Sequence, residues 1–202
     1  MNNQEEIVTG NYFNKYESKN RLYQMLMSKY RATLVGLIKE LSISNCLEIG
    51  SGEGYTLDFL HAARPDVKYF GSDISILQCE SGKSNRPYAE WLVQLGDNIS
   101  MKTSSFDIVI ACEVLEHVKN PGIVLKEMQR VSNKFILLSV PHEPMWRILN
   151  ILRLKYLNNF GNTPGHLNHW SPQKINSLVT GYFNPIQLKI SFPWVFILGE
   201  KT

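Results

Sequence analysis

The chain has 202 residues, 44% hydrophobic and 19% charged, proportions that exclude a disordered, collagen-like or coiled-coil chain and suit one domain over residues 1–202, domains averaging about 150 residues. A formal charge of +3 falls short of the dense basic stripe of a dedicated nucleic-acid binder, so nucleic acid is not the expected partner. Cys46, Cys79 and Cys112 stand singly with no Cys-x-x-Cys pair, which spells neither a disulfide framework nor a zinc site and points to a reduced, cytoplasmic setting.

The opening MNNQEEIV is polar and acidic, and no apolar run nears the ~20 residues that span a bilayer, so neither export nor membrane insertion is expected. Leu22, Met25, Leu26, Tyr30, Leu34, Leu37, Ile38 and Leu41 recur at helical spacing and predict an amphipathic helix over 21–41. A short buried strand over 45–49 then runs into Gly50-Ser-Gly52-Glu-Gly54, after which Tyr55, Phe59, Leu60 and Ala63 restart the helical period until Pro65. A second strand over 67–72 delivers Asp73, a third over 91–95 delivers Asp97, and 106–111 is a strongly apolar fourth. Asn120-Pro121 is a good helix start, an N-cap with proline at the first helical position, and 135–140 is the fifth strand.

The tail changes rhythm. Ser171-Pro172 opens a short helix, and the strands expected at 186–190 and 194–198 are separated by only Ser191-Phe192-Pro193. A parallel crossover needs a dozen or more residues, so this last pair is antiparallel or leaves the sheet. The predicted architecture is α/β: a doubly wound, seven-stranded, mostly parallel sheet with one antiparallel strand near its C-terminal edge.

Where a strand feeds a helix through several glycines, the backbone can approach a ligand closely and the helix N-terminus offers unpaired N–H groups. The dinucleotide fingerprint is Gly-x-Gly-x-x-Gly with a pyrophosphate on that N-terminus; here the spacing is Gly-x-Gly-x-Gly, with Glu48 just ahead of it. A carboxylate there repels pyrophosphate and suits a ligand carrying ammonium and sulfonium charge. Asp73 stands at the offset where an acidic residue accepts from ribose hydroxyls. Taken singly, each of these reads as a plain turn or a solvated carboxylate; their order on successive strand ends favours an adenosine ligand.

Cys46-Leu-Glu-Ile-Gly-Ser-Gly-Glu-Gly54, Gly71-Ser-Asp73 and Phe106-Asp-Ile-Val-Ile-Ala-Cys-Glu-Val-Leu-Glu-His117 together resemble the class I S-adenosylmethionine-dependent methyltransferases, over roughly residues 45–140. The resemblance implies the Rossmann-like methyltransferase fold and S-adenosyl-L-methionine as cofactor. It sets Glu48 and Gly50 against the methionyl part, Gly52 and Gly54 on the backbone side of the loop, Asp73 at the ribose and Asp97 by the adenine amino group. Ile74 and Met101 would pack the ring.

Glu113, Glu116 and His117 stand at i, i+3 and i+4, so a helical turn would project all three from one face. They read as a substrate-handling set, with His117 and Glu116 as the catalytic pair, as oxygen and nitrogen ligands of a divalent ion, or as braces of the loop. The quinone-biosynthesis-type O-methyltransferases, and those acting at the 3′ ends of small RNAs, look similar: a Glu-x-x-Glu-His segment and a later histidine ahead of a tryptophan. That resemblance implies a metal set of Glu113, Glu116, His117 and His166, with His169 in reserve.

Residues 142–170 hold an apolar stretch with Arg147, Arg153 and Lys155 scattered through it. It either packs against the sheet or forms a lid over an apolar or lipid-linked acceptor, or meets a membrane surface peripherally, its cations facing phosphate. With the N-terminal helix it is where acceptor specificity is expected. The expected activity is methyl transfer to oxygen of a small, sugar-linked or lipid-linked acceptor. The rivals are an NAD-dependent oxidoreductase, disfavoured by the glycine spacing and Glu48, and a cofactor-binding partner subunit without catalysis.

Overall fold

The computed structural model describes residues 20–202; the MNNQEEIV opening and the expectation attached to it lie outside them. The elements run α1 (Arg21–Ile38), β1 (Asn45–Ile49), α2 (Tyr55–Ala63), β2 (Lys68–Asp73), α3 (Ile76–Asn85), β3 (Ala89–Val93), β4 (Phe106–Cys112), α4 (Pro121–Val131), β5 (Ser132–Pro141), α5 (Met145–Leu152), α6 (Pro172–Val179), β6 (Phe183–Ser191) and β7 (Trp194–Lys201). One seven-stranded sheet has the order β3-β2-β1-β4-β5-β7-β6. Neighbours among β1 to β5 are parallel, and β7 is antiparallel to both β5 and β6. The single reversed strand is the one the short tail connection predicts.

Side chains alternate across β4 and divide the core into two layers. Ile108 and Ile110 face a layer with Leu26, Tyr30 and Leu34 of α1 and Leu57 and Leu60 of α2. Val109 and Ala111 face the other, with Val124, Leu125 and Met128 of α4 and Ile175 and Val179 of α6. Tyr30 is fully buried; its hydroxyl bonds Ser139 Oγ at 2.9 Å and its ring meets Trp194 edge-on at 4.9 Å. A buried phenol needs such a partner, and this one fixes α1 onto β5 and β7.

α1 stops short of the expected residue 41. Beyond its end Arg64, just past α2, donates to the carbonyls of Lys39, Leu41 and Ile43, which holds that stretch in a non-helical path. The apolar pattern shows no helix between Asp73 and Trp91, yet α3 forms there, capped by Ser75, whose hydroxyl accepts from Gln78 N. Its buried residues are Cys79 and Gly82, so it leaves no stripe to read. What packs it is Trp91: a Cβ at Gly82 would come within 2.4 Å of that ring, one at Gly54 within 2.5 Å and one at Gly71 within 2.8 Å. Among the described residues no helix is long and apolar enough to cross a membrane. Cys46, Cys79 and Cys112 are all buried, and none is in a disulfide among the described residues.

Residues 142–170 pack on the sheet in part, the Trp146 ring lying 5.8 Å from that of Trp194. Asn150 is 2% exposed, but Leu152, Leu154 and Phe160 are 75%, 79% and 77% exposed.

Candidate functional site

The strand order reverses between β1 and β4, and open α/β sheets bind ligands outside the carboxyl ends of strands at such a point. A cavity of about 920 Å³ lies there, bounded by the ends of β1, β2, β4 and β5, by α1 and by the 142–170 segment.

The glycine loop is built on its floor. Gly50, Gly52 and Gly54 have φ of +65°, +52° and +96°, a left-handed region that costs L side chains energy and glycine little. Ser51 N donates to Ser72 O at 2.9 Å, and Gly52 N donates to Asp73 Oδ2 at 2.8 Å. Asp73 Oδ1 accepts from Ser75 N at 2.9 Å. One carboxylate at the end of β2 thus shapes both the loop after β1 and the turn into α3. A Cβ on Gly52 would meet nothing within 4 Å, so that backbone lies open to the cavity.

Glu48, on β1, is 1% exposed and lines the same cavity. Burial pushes its carboxyl well above the usual carboxylate range, the Thr56 hydroxyl hydrogen bond pulls it down, neighbouring Asp73 pushes it up and Arg86 pulls it down. Its Oε2 is buried without a hydrogen-bond partner. An unsatisfied buried carboxylate oxygen is costly unless a ligand supplies the missing donor.

Gly50, Ile74 and Asp97 also line the cavity, Asp97 on the exposed loop after β3 rather than at the strand's end. Two expected residues stand elsewhere. Gly54 is the N-cap of α2, turned away from the cavity toward Trp91 and Arg86. Met101 packs into the layer under α4, off the cavity wall.

The Glu-x-x-Glu-His segment forms a turn, not a helix, with His117 N donating to Val114 O at 2.9 Å. Glu113 takes a φ of +57° and accepts from Trp194 Nε1 at the start of β7. Its side chain therefore leaves the set expected from i, i+3, i+4 spacing. Glu116, His117 and His166 come together instead, with ligand-type atoms all within 4.8 Å of one another. His169 is outside that group; its Nδ1 lies 3.8 Å from Glu143 Oε1.

Residues 165–168 are stitched over this turn. Leu167 N and Asn168 N both donate to Glu116 O, at 2.8 and 3.0 Å, and Asn168 Nδ2 donates to Leu115 O and Val118 O. His117 Nδ1 lies 3.0 Å from Gly165 O. A carbonyl oxygen only accepts, so Nδ1 carries the proton, and the neutral ring keeps Nε2 as its acceptor. That nitrogen can take a proton from a hydroxyl or bind a cation.

The far wall comprises residues that sequence motifs did not flag: Tyr23 of α1, Trp146 and Asn150 of α5, and Arg153 and Lys155 beyond it. The sequence points to their two elements, the N-terminal helix and the 142–170 stretch with its scattered cations, but not to these residues as a group.

Residues 20–182 match the family model described as a methyltransferase domain. The demethylmenaquinone methyltransferase of Thermotoga maritima is 26% identical over 121 residues, 59% of this chain and 53% of the relative; the chain spans about half the length of that curated relative. Among solved structures, a Pyrococcus horikoshii OT3 protein superposes with a TM-score of 0.70 at 17% identity, covering 91% of this chain and 93% of its own. Magnesium protoporphyrin IX methyltransferase from Synechocystis, solved with bound SAH, superposes with a TM-score of 0.65 at 15% identity, covering 92% and 89%.

Proposed function

The chain belongs to the methyltransferase-domain family, and from that premise we propose that it is an S-adenosylmethionine-dependent methyltransferase acting on an oxygen of a small, sugar-linked or lipid-linked acceptor. The observation that carries the reading is the floor of the cavity. Asp73 is locked to Gly52 N at 2.8 Å, beside a buried Glu48 whose Oε2 lacks a donor. Two carboxylates so close together suit a nucleoside with ammonium and sulfonium charge and oppose a pyrophosphate. The Synechocystis neighbour, solved with bound SAH, supports the same ligand.

Glu48 and the Gly50 backbone would hold the methionyl part, Asp73 the ribose hydroxyls, and Ile74 and Asp97 the adenine. Bound there, S-adenosylmethionine supplies a methyl group on a positively charged sulfur. The chain's own contribution is placement: the acceptor oxygen is held in line with the donor, and His117 Nε2 takes its proton. Glu116, 1% exposed, stands beside His117, their ligand-type atoms within 4.8 Å of each other. The 142–170 segment and α1 cover this end and exclude water from it.

A second reading concerns the same trio. Carboxylate and imidazole atoms within 4.8 Å fit three ligands of a divalent ion, held by Glu116, His117 and His166. Such an ion would lower the pKa of an acceptor hydroxyl. Elemental analysis after incubation with magnesium, manganese, zinc or iron separates the readings, since only the second requires a stoichiometric ion.

The test of the main reading is calorimetry of the full chain with S-adenosylhomocysteine and with NAD. Saturable binding of the first and none of the second is expected; the reverse would make the protein an oxidoreductase. Methyl-donor turnover on cell extracts then separates an enzyme from a partner subunit without catalysis.

A further inference from the structure

Charges of both signs line the cavity. Glu48, Asp73 and Asp97 line the side under the glycine loop, while Arg153 and Lys155 line the wall formed by α1 and the 142–170 segment. Arg153 is firmly held. Its Nε donates to Leu149 O at 3.1 Å, its Nη1 to Tyr23 Oη at 2.6 Å and its Nη2 to Asn150 Oδ1 at 2.5 Å. The guanidinium carbon stands 5.3 Å from the centre of the Tyr23 ring. Asn150 is itself anchored, its Nδ2 donating to Gly161 O and Thr163 Oγ1 at 2.9 and 3.1 Å.

Every one of these acceptors is neutral. Among the described residues no carboxylate is ion-paired with Arg153. A guanidinium has more N–H donors than three bonds use, in a fork that matches carboxylate and phosphate oxygens. A cation on a cavity wall that Trp146 and Tyr156 also line is poorly compensated by a neutral ligand and well compensated by an anion.

We propose that Arg153 is the acceptor's anion site: the acceptor carries a carboxylate or a phosphate, which the guanidinium receives, while the oxygen to be methylated faces His117. The proposal rests on the methyltransferase reading. It adds that an acceptor without an anionic group is a poor substrate, and that the bonded pair Tyr23 and Arg153 brings α1 and the 142–170 segment jointly to bear on that group.

The test titrates the full chain, saturated with S-adenosylhomocysteine, with benzoate, phenyl phosphate and the neutral benzamide. At least one anion should bind about tenfold or more tightly than benzamide, as expected when hydrogen bonds to a charged group are gained. The tighter of the two anions separates a free carboxylate from a phosphate-bearing acceptor. Arg153→Gln should erase the preference while S-adenosylhomocysteine affinity stays within about twofold, and Arg153→Lys should restore part of it. Tyr23→Phe, which removes one tether but leaves the guanidinium, should keep the preference. Equal binding of all three probes, no binding of any, or a preference that survives Arg153→Gln would overturn the proposal. Failure of the wild-type chain to bind S-adenosylhomocysteine would instead overturn the methyltransferase reading.

Discussion

Asp73 Oδ2 accepts a hydrogen bond from Gly52 N at 2.8 Å, so a side chain at the end of β2 sets the conformation of the loop that follows β1. The other oxygen holds Ser75 N. The carboxylate therefore shapes the loop with no ligand present, and its loss removes the support of the loop along with the contact proposed for the ribose.

Asp73→Ala is expected to weaken S-adenosylhomocysteine binding by about 1–3 kcal/mol, roughly 5- to 150-fold in Kd, the range for hydrogen bonds to a charged acceptor. Asp73→Asn keeps one acceptor oxygen and should fall between. Calorimetry measures both; an unchanged Kd in Asp73→Ala would remove the residue from ligand binding.

Glu48 gives a prediction with opposite signs for stability and binding. Its folded-state pKa lies above the unfolded value, chiefly through burial. As pH rises past the usual carboxylate range, the unfolded chain releases its proton first, so the folded state loses stability until Glu48 also ionises. Glu48→Gln should therefore raise the Tm of the ligand-free protein at neutral pH, with the gain shrinking below about pH 4.5, the ordinary glutamate range, and should weaken S-adenosylhomocysteine binding. Thermal melts at several pH values with and without ligand show it. A lowered Tm in the ligand-free variant at neutral pH would contradict this account.

His117→Ala should lower kcat by about 10²- to 10⁴-fold, the usual yield of a positioned base, and leave S-adenosylhomocysteine affinity nearly unchanged because the glycine loop is intact. Single-turnover kinetics with an identified acceptor measure the chemical step. A kcat at the wild-type value would leave His117 as a brace between Gly165 and the loop.

Gly82→Ala pits two effects against each other. Alanine in mid-helix gains at most about 1 kcal/mol over glycine, but the new Cβ would lie 2.4 Å from Trp91, and overpacking a core costs about 1–3 kcal/mol. The clash wins: net destabilisation is expected in urea unfolding, and a stabilised variant would show that the Trp91 ring can shift.

The parts legible in the sequence were those whose chemistry is local. The glycine loop, Glu48 and Asp73 announce themselves because a turn with φ above zero favours glycine and because open α/β sheets form their clefts at the carboxyl ends of strands. Glu113 was not legible. Its spacing fits a helical face, but its backbone turns left-handed and its carboxylate goes to Trp194, 81 residues away. α3 was missed because it buries a cysteine and a glycine rather than a stripe, its partner ring arriving from Trp91. The bond of Arg153 to Tyr23 spans 130 residues, and no window along the chain contains both.

The reversed strand β7 has an effect beyond closing the sheet. Parallel strands bring their finishing residues to the ligand edge, whereas β7 brings its first: Trp194, paired with Pro141, arrives there from a hairpin whose Pro193 carbonyl accepts from His142 N at 2.8 Å. The hairpin tip is thereby a rear abutment for the root of the covering segment. A change of sequence at that tip therefore reaches the cavity through Pro141 and Trp146, on the opposite side of the sheet's crossover from the Gly52–Asp73 bond, and leaves that bond untouched.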